Sequence, residues 1–483
     1  MRALISATLA LALVALALNT LPENMSAKEV ADPNAATTDF EVGQAEVNIT
    51  PTLLGPKPVY MAGFGHNRQA RGVNDPLMAR CLVLKHGQQK WALVSADLIG
   101  WFYPQTLSVR DKLKDFDYVL VSSTHNHEGP DTMGLWGASP LKSGVDPAYI
   151  AQVEALMVQA IRTAEKQSQP AQARIGRVRV PELLHDSRQP YLVHDELVVL
   201  QFLRPHTQQP LGLVVQWNCH PETLSSQNVH ISADFVGYCV AALHKQTQQP
   251  VTYFTGTVGG LMTSLRVKIK DQTGKEWQDG TIEKTRLYGE QLAAAALRAI
   301  DSAVPLKMVP FNCRAQRIYL PVTNPLYLLA RRLGVLQRET FHWQKQLTQA
   351  APATVQTPES EQAIATEVAV LQLGELQIIC VPGEIYPELV LDQPPLPLDA
   401  GADFPDAPVE PPLYRMLKRP HQMLIGLAND EVGYIIPKRQ WDAKPPFCYG
   451  RQSKQYGEEN SLGPETAPLL SQAFAELLRV PSK

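Results

Sequence analysis

The chain has 483 residues, 45% of them hydrophobic and 19% charged, which is enough apolar sequence for one large core or two ordinary ones and excludes wholesale disorder. The formal net charge is -3 at pH 7, and lysine and arginine form no block along the sequence. Neither nucleic acid nor an acidic membrane surface is therefore predicted as a partner on electrostatic grounds.

The N-terminus has the pattern of a secretory signal peptide. A single arginine precedes a largely apolar stretch over residues 3–18, and a segment with small residues follows at 25–27. The stretch is shorter than the roughly 20 residues of a membrane span, and no cysteine lies nearby to carry a lipid. We therefore predict a signal peptide over residues 1–27, a mature protein over 28–483, and a secreted or periplasmic location. An uncleaved N-terminal anchor is the less favoured alternative.

The six cysteines are widely spaced, and four of them lie in or beside apolar runs. No C-x-x-C pair occurs that would indicate a zinc ribbon or a redox motif. This pattern favours buried thiols over disulfides.

Short apolar runs along the chain each end in a turn that carries polar or glycine residues. The run at 91–94 leads to Asp97, the run at 118–121 to residues 125–127, and the run at 211–217 to residues 218–221. Further along, the run at 251–254 leads to residues 256–260, the run at 376–381 to Glu384, and the run at 423–427 to residues 429–431. Apolar runs followed at once by such residues are typical of buried strands whose ends converge on one site.

Helical periodicity fills several of the gaps between these runs. An apolar stripe after Asp146 and Pro147 predicts one helix, and similar stripes predict helices over residues 283–300, 327–347 and 467–480. The resulting fold class is mixed α/β, with central mixed sheets flanked by helices and the site at the strand ends.

Two stretches without periodicity are predicted as loops, residues 351–361 and residues 392–412. The second has about 20 residues, and loops of that length are usually flexible or cover a site. No linker divides the mature chain into separately folding domains.

The stretch S-T-H-N-H-E-G-P at residues 123–130 places His125 and His127 one residue apart after an apolar run. In an extended chain the two rings would share one face, and an H-x-H pair is a common start of a metal site. Taken alone, the pair fits a surface or hydrogen-bonding role equally well.

His220 and Glu384 supply further candidate ligands from other strand ends. A catalytic zinc takes about three protein ligands and keeps one position for water or substrate. A carboxylate at the mouth of a buried strand is costly without a partner, and a cation is the simplest partner for Glu384. His220 alone also fits a structural histidine with satisfied hydrogen bonds.

At these residues the chain resembles the catalytic domain of the neutral/alkaline, non-lysosomal ceramidase family, from about Glu41 to the C-terminus. The resemblance rests on ordered motifs, which are G-V-N-D-P-L-M-A-R-C-L-V-L at 72–84, S-A-D-L at 95–98, T-H-N-H-E-G-P at 124–130, W-N-C-H-P at 217–221, I-S-A-D-F at 231–235, P-G-E at 382–384 and G-L-A-N-D-E-V-G-Y-I-I-P at 426–437. Each motif alone is weak, whereas the set in this order is fairly specific.

The resemblance implies a zinc site formed by His125, His220, Glu384 and Tyr434. It places His127 beside the substrate carbonyl instead of on the metal. Alternatively, Tyr434 is a packed tyrosine before a strand and does not bind the metal.

The resemblance also implies that Arg188 contacts the substrate near the metal, with an ordinary ion pair as the alternative for this arginine. We further expect Asp97 to orient a ligand histidine, because ligand imidazoles usually donate their other N–H to a carboxylate or a carbonyl.

The chain departs from the family pattern at three points. The nucleophile loop corresponds to residues 260–265, where Thr263 takes the place of the nucleophilic serine and Ser264 follows it; whether Thr263 or a zinc-bound water attacks stays open. Glu128 and Asp131 are added near the expected metal. The β-sandwich domain that follows the catalytic domain in the family's ceramidases is not expected in this chain.

Together these features predict an exported zinc-dependent hydrolase of the neutral ceramidase type that cleaves an amide (N-acyl) bond. A sphingolipid or another lipid is the candidate substrate, peripheral membrane contact is a candidate interaction, and His127 and Arg188 would hold the developing oxyanion. The alternative is a non-catalytic or altered-specificity metal-binding protein on the same scaffold. A wide apolar pocket would favour a lipid, and a narrow polar pocket would favour a small amide or a sugar-linked substrate.

Overall fold

Runs of aliphatic and β-branched residues form the strands of the protein, which a computed structural model describes over residues 39–479. Such side chains pack well on a pleated sheet. The strands in this part of the chain are β1 (Phe40–Asn48), β2 (Gly72–Val73), β3 (Met78–His86), β4 (Gln89–Ala96), β5 (Tyr118–Ser123), β6 (Gln169–Pro170), β7 (Gln172–Arg179), β8 (His185–Asp186), β9 (Glu196–Leu203), β10 (Pro210–Trp217), β11 (His230–Ile231), β12 (Val251–Thr255), β13 (Met262–Thr263), β14 (Ile269–Lys270), β15 (Glu276–Trp277), β16 (Val304–Leu306), β17 (Phe311–Pro321), β18 (Phe341–Trp343), β19 (Ala350–Pro352), β20 (Gln362–Leu373), β21 (Leu376–Cys380), β22 (Glu384–Ile385), β23 (His421–Ile425) and β24 (Tyr434–Ile435). The α-helices in the same part are α1 (Tyr103–Asp111), α2 (Pro147–Lys166), α3 (Asp234–Thr247), α4 (Ile282–Asp301), α5 (Pro325–Arg332), α6 (Leu413–Met416) and α7 (Thr466–Arg479). The predicted signal peptide over residues 1–27 lies outside the described residues.

Three large sheets contain most of these strands. The first sheet has the order β5-β4-β3-β1-β6, and the second has the order β12-β10-β9-β7-β16. The third has the order β19-β18-β20-β21-β23, with β17 also paired to β20. Short pairs such as β22 with β24 and β13 with β8 lie outside these sheets and carry residues of the site.

Each large sheet ends in a parallel pair of strands, although its other pairings described here are antiparallel. The pairs are β4 with β5, β10 with β12, and β21 with β23. These six strands are the six apolar runs that the sequence marks as strands ending near the site. The predicted fold class, mixed sheets flanked by helices, is confirmed.

Strand alternation divides the apolar side chains between a shared core and three outer layers. In β10, Val214 faces the core in which the inner faces of all three sheets meet, whereas Val215 packs in the layer under α3 and α4. In β21, Ile378 and Ile379 divide in the same way between the core and the layer under α7. Helices α1 and α2 cover the outer face of the first sheet. Burying each such side chain contributes roughly 1.5–3 kcal/mol.

The carboxyl ends of the three parallel pairs are tied together by hydrogen bonds. The backbone N–H of Gly426 donates to Thr255 O over 2.8 Å, and that of Asn429 donates to Val121 O over 2.6 Å. The Thr255 hydroxyl donates to Thr124 O over 2.7 Å. The turns after the strands, which carry the candidate site residues, are therefore brought to one place.

Three of the four predicted helices are confirmed as α2, α4 and α7, and the fourth is largely wrong. Helix α5 ends at Arg332 and Gly334 follows with a φ of 72°, a left-handed conformation that commonly terminates a helix. Residues 341–343 then form β18 instead of continuing the predicted helix over 327–347. Among residues 39–479, no helix is both long and apolar enough to cross a membrane.

The predicted long loop over residues 392–412 forms neither helix nor strand. It lines a cavity of about 300 Å³ together with Arg415 and residues near Pro437. None of its residues lines the larger cavity beside the histidines that is described below.

All six cysteines are free thiols. Five of them are buried and Cys313 is half-buried, so the predicted preference for buried thiols over disulfides is confirmed.

Candidate metal centre and its cavity

Three buried imidazole rings meet where the first and second sheets end, those of His125, His127 and His220. Their ring centroids are 4.9 to 5.6 Å apart, and one nitrogen of each ring lies within 4.8 Å of the others. His125 has a φ of 65°, so the H-N-H segment turns instead of continuing β5 as an extended strand. The turn, and not strand alternation, therefore brings His125 and His127 together.

Backbone carbonyl groups set the orientation of two of these rings. Nδ1 of His125 lies 2.7 Å from Ile99 O, and Nδ1 of His220 lies 2.7 Å from Met262 O. Because a carbonyl oxygen can only accept, each Nδ1 carries the hydrogen and leaves the Nε2 lone pair free to bind a cation.

The expectation that Asp97 orients a ligand histidine is wrong. Its carboxylate pairs with Arg80 over 2.8 Å and accepts the backbone N–H of Met78 over 2.9 Å. Asp97 thus joins the start of β3 to the end of β4.

A short parallel pair of strands places Glu384 beside Tyr434. These two residues are direct partners in the pairing of β22 with β24. Oε2 of Glu384 lies 2.9 Å from Nε2 of His220 and 3.3 Å from Nε2 of His125, and the Tyr434 hydroxyl lies 3.5 Å from Nε2 of His220. The four residues predicted to bind zinc are therefore brought together from three parts of the fold.

The charge balance of this group depends on Glu384. Burial alone would raise the pKa of its carboxyl, but the adjacent His125 and His220 rings lower that pKa well below its ordinary value. Glu384 is therefore an anion stabilised by the two rings, and a divalent cation bound between the carboxylate and the Nε2 atoms would take the place of the ring protons.

A second observation also supports a zinc site at these donor atoms. Both ring nitrogens of His127 are buried, yet neither has a hydrogen-bond partner. Unsatisfied buried polar atoms are rare and costly, and a ligand is a common explanation for them. Two donor sets can be drawn from these atoms: the three histidines, or the predicted set of His125, His220, Glu384 and Tyr434.

The ring of His127 is held tightly by its neighbours. Phe64 packs edge-on against it at 5.0 Å, and a Cβ at Gly63 would lie 2.4 Å from the ring. Arg68 donates to the backbone oxygen of His127 and forms an ion pair with Glu128 over 3.1 Å. Burial lowers the pKa of His127 well below its ordinary value, and the neighbouring rings lower it further, so the ring is neutral.

Glu128 and Asp131, the two acidic residues at which the chain departs from the family pattern, have other partners. Glu128 pairs with Arg68, as described above, and also accepts from Asn228 over 2.8 Å. Asp131 accepts backbone N–H groups from a loop; the donors are Met133, Gly134, Trp136 and Gly144. Asp131 therefore shapes the loop that forms one wall of the cavity, and both added carboxylates have partners within the protein.

Glu222 is a site residue that the sequence reasoning missed. It is buried, accepts a hydrogen bond from the Thr263 hydroxyl, and has its other oxygen 3.6 Å from Nδ1 of His127. Burial raises the pKa of Glu222, against the opposing effect of His220. Its position two residues after His220, in H-P-E, was the available signal.

Thr263 lies in β13, directly beside His220 in a parallel bridge. Its side chain is buried and points to Glu222. Thr263 is not among the residues that line the cavity described below. The structure thus brings the predicted nucleophile to the histidine cluster, beside His220.

Arg188 does not reach the histidine cluster. Its guanidinium forms a two-point ion pair with Glu458 at 2.6 and 2.9 Å and donates to the backbone oxygens of Tyr456 and Gln440. Tyr456 lines the cavity and its ring packs edge-on against Tyr434 at 5.8 Å. Arg188 therefore supports a segment of the cavity wall, and its predicted contact with the substrate stays a prediction.

A cavity of about 420 Å³ opens beside the cluster. His125, His127, Glu384 and Tyr434 form part of its wall. Most of the remaining wall is apolar and comes from the segment after β4, from the loop around residue 135, and from α5 with the residues that follow it. It includes Ile99, Phe102, Met133, Leu135, Trp136, Leu141, Leu326, Leu329, Leu333, Val335 and Leu336. Pockets of this size and composition commonly bind apolar ligands.

Residues 40–266 match the sequence model of the family described as neutral/alkaline non-lysosomal ceramidase, N-terminal. Over this segment the chain is similar to the neutral ceramidases. It contains the three histidines and Thr263, whereas Glu384 and Tyr434 lie beyond it. The resemblance to the neutral ceramidase family seen in the motifs is confirmed.

Solved ceramidase structures share the fold of the chain. A crystal structure of neutral ceramidase from Pseudomonas aeruginosa is similar with a TM-score of 0.67 and 15% identity, over 92% of this chain and 75% of that chain. A structure described as ceramidase complexed with C2 is similar with the same TM-score and identity, over 92% of this chain and 76% of that chain. At this identity the similarity extends to the fold alone. No curated protein matches the sequence of this chain.

Proposed function

We propose that the protein is an exported, zinc-dependent hydrolase that cleaves the amide bond of an N-acyl lipid. The observation that carries this proposal is the position of the histidine and carboxylate cluster in the wall of a mostly apolar cavity of about 420 Å³. A hydrolase of the ceramidase type is also supported by the family match over residues 40–266 and by the shared fold.

The metal would be held by His125, His220, Glu384 and Tyr434. Zinc bound there would act as a Lewis acid that polarises the scissile carbonyl. The protein prepares these ligands in advance, because backbone carbonyl groups fix the tautomers of both histidines and the strand pairing fixes the carboxylate beside the tyrosine.

Thr263 and Glu222 form the pair best suited to produce the attacking group. The Thr263 hydroxyl donates its hydrogen to Glu222, so this carboxylate would accept the proton as the hydroxyl oxygen attacks the carbonyl carbon. Glu222 would then return the proton to the amide nitrogen as the C–N bond breaks and the amine leaves, and a water molecule would hydrolyse the acyl-threonine ester to release the fatty acid. His127, kept neutral by burial, lies in the cavity wall with free ring nitrogens and would donate a hydrogen bond to the developing oxyanion.

The apolar wall supports an acyl chain as the part of the substrate that enters the cavity. Each buried methylene would contribute about 0.8 kcal/mol, so binding would strengthen with chain length until the cavity is filled. This is the wide, apolar pocket that the sequence reasoning associates with a lipid.

Peripheral contact with a lipid surface is part of the same proposal. Four leucines at the cavity mouth, Leu141, Leu326, Leu329 and Leu333, are 44% to 65% exposed, although exposed leucines on a water-soluble surface are usually scattered. Three of them follow helical spacing along and just after α5 and form one stripe.

The test is turnover of N-acyl amides of several chain lengths by purified protein, with and without a metal chelator. We expect hydrolysis that rises with acyl length, stops with the chelator and returns when zinc is restored. Zinc content is measured in the same samples. No turnover of any fatty-acyl, amino-acyl or ester substrate at full zinc occupancy would favour a non-catalytic metal-binding protein instead.

Export is tested separately by N-terminal sequencing of the protein found outside the cytoplasm of an expressing cell. We expect a mature N-terminus near residue 28. A full-length chain that remains in the membrane fraction would favour the uncleaved anchor.

A further inference from the structure

Glu431 is a buried carboxyl group in the cavity wall that the mechanism above does not use. It follows β23 in the turn N-D-E, and only 2% of its surface is exposed. One carboxyl oxygen accepts the backbone N–H of Gly433 over 2.9 Å. The other oxygen, Oε2, is buried and has no hydrogen-bond partner.

The arginine that contacts this turn, Arg338, already has an acidic partner. Arg338 forms an ion pair with Asp430 over 2.6 Å and donates to the backbone oxygens of Ala365 and Glu431. Two adjacent carboxyl groups therefore differ: Asp430 has a cationic partner, and the side chain of Glu431 has none among the described residues.

An unpaired buried carboxyl group is costly, and proteins keep such groups mainly where a ligand satisfies them. Burial, and next the charge of Glu384, raise the pKa of Glu431 well above its ordinary value. A carboxyl group in this state can donate a hydrogen bond as well as accept one.

The other polar groups of the wall narrow the chemistry of the ligand. Its histidines and carboxylates are His66, His125, His127, Glu384, Glu431 and Glu459, and none of its lining residues is a lysine or an arginine. The wall thus offers no permanent side-chain cation to pair with a carboxylate on the substrate. A hydroxyl group, which both donates and accepts, matches Glu431 in either protonation state.

We propose that Glu431 is a specificity-determining residue that binds a hydroxyl group carried by the amine half of the substrate. This inference rests on the proposed amide hydrolysis and adds to it the residue that recognises the head group. The acyl chain occupies the apolar wall, the amide carbonyl faces the histidine cluster, and the hydroxyl lies against Oε2 of Glu431.

The experiment compares two amides of the same medium-length fatty acid, one with 2-aminoethanol and one with ethylamine, which lacks only the hydroxyl. We expect the full-length protein to prefer the hydroxylated amide by about tenfold in kcat/KM, because a site built to bind a hydroxyl loses a hydrogen bond with the analogue. Glu431→Leu should reduce this preference to about one. Glu431→Gln, which keeps the acceptor for Gly433 and the shape of the side chain, should give an intermediate preference.

Leu329→Ala is the matched control, since it alters the apolar wall at the cavity mouth and should change kcat/KM for both amides by the same factor. If the unchanged protein hydrolyses both amides equally, or if the preference survives in both Glu431 variants, the inference is wrong while the proposed function stands. If neither amide nor any other N-acyl substrate is hydrolysed, the proposed function itself fails. Equal zinc content and equal melting temperature in all variants show that a changed preference does not arise from misfolding.

Discussion

His125 and His127 are separated by one residue, yet their contacts differ. Nε2 of His125 lies 3.3 Å from Glu384, whereas the nitrogens of His127 have no hydrogen-bond partner and its ring forms part of the cavity wall. We expect His125→Ala to weaken zinc binding by at least about 100-fold, because it removes a ligand. His127→Ala should keep zinc and lower kcat.

Zinc content after dialysis and kcat at saturating zinc separate these two effects. His206→Ala, which removes an exposed histidine from a loop away from the cluster, is the control and should change neither quantity. Equal loss of zinc in the His125 and His127 variants would identify the three-histidine set as the true ligand set.

Thr263 is the second residue at which a single substitution is informative. If its hydroxyl attacks the carbonyl, Thr263→Ala should lower kcat at least about a thousandfold, while Thr263→Ser retains activity because the hydroxyl and its contact with Glu222 remain. Glu222→Gln should lower kcat about 100-fold or more through loss of the proton acceptor. A modest effect of Thr263→Ala together with a large effect of Glu222→Gln would assign the attack to a water molecule.

The residues that sequence reasoning found and those it missed differ in a physical way. His125, His220 and Glu384 follow apolar strands directly, so the pattern around each of them is local. Glu222 lies two residues after His220, but no local pattern indicates its contact with Thr263, which is 41 positions away. The expectation for Asp97 was wrong because the candidate ligand histidines donate their Nδ1–H to backbone carbonyl groups and not to a carboxylate.

At the scale of elements, helix α5 makes the most distinctive contribution to the cavity. Its leucines and Leu141 surround the mouth, and we expect them to enter a lipid surface that presents the substrate. Leu326→Ser together with Leu329→Ser should lower the affinity for neutral phospholipid vesicles by at least about tenfold, since each buried leucine contributes roughly 1.5–3 kcal/mol. Vesicle co-sedimentation measures this affinity.

A short-chain soluble amide separates membrane contact from damage to the site. Its hydrolysis should change much less than that of a vesicle-embedded substrate in the same double variant. Val304→Ser is the control, because Val304 is a similarly exposed apolar residue that lies in β16, outside the cavity wall. Unchanged vesicle binding in the double variant would contradict peripheral contact through α5.

The helices and strands that could be predicted were those with strong local sequence patterns. Helix α2 begins at an Asp-Pro pair, and the Asp146 carboxylate accepts the N–H of Ala148, so its start was readable from sequence. The stretch after α5 has leucines at helical spacing, but Gly334 ends the helix and β18 forms by pairing with β19 and β20. That pairing is a tertiary contact, and it overrides the local helical pattern.

At the scale of the whole molecule, the site depends on three sheets that end in the same way. Sequence reasoning predicted mixed sheets with strands ending at one site, but not that there are three of them around one core. Long-range strand pairing sets the number of sheets. For example, β1 pairs with β3 and also with β6, and β6 lies more than 120 positions after β1 in the chain. The repeated apolar strand with a polar turn was therefore visible, whereas its grouping into sheets was not.

This architecture would give a bound metal a structural role in addition to a chemical one. His125 follows the first sheet, His220 follows the second, and Glu384 follows β21 of the third, so one cation would join the ends of all three. We expect zinc at 100 times its dissociation constant to stabilise the protein by about 2.7 kcal/mol relative to the chelated state. The melting temperature should therefore fall on chelation and recover with zinc.

The His125→Ala variant tests whether this stabilisation comes from the proposed centre. Its melting temperature should be lower than that of the unchanged protein with zinc, close to that of the chelated protein, and insensitive to added zinc at the concentrations that saturate the unchanged protein. Amide hydrogen exchange should locate the difference at the carboxyl ends of β5, β10 and β21, because these strands precede the ligands. A zinc-dependent rise in melting temperature that persists in His125→Ala would mean that the stabilising metal binds elsewhere, and that the three sheet ends are held together by their own hydrogen bonds alone.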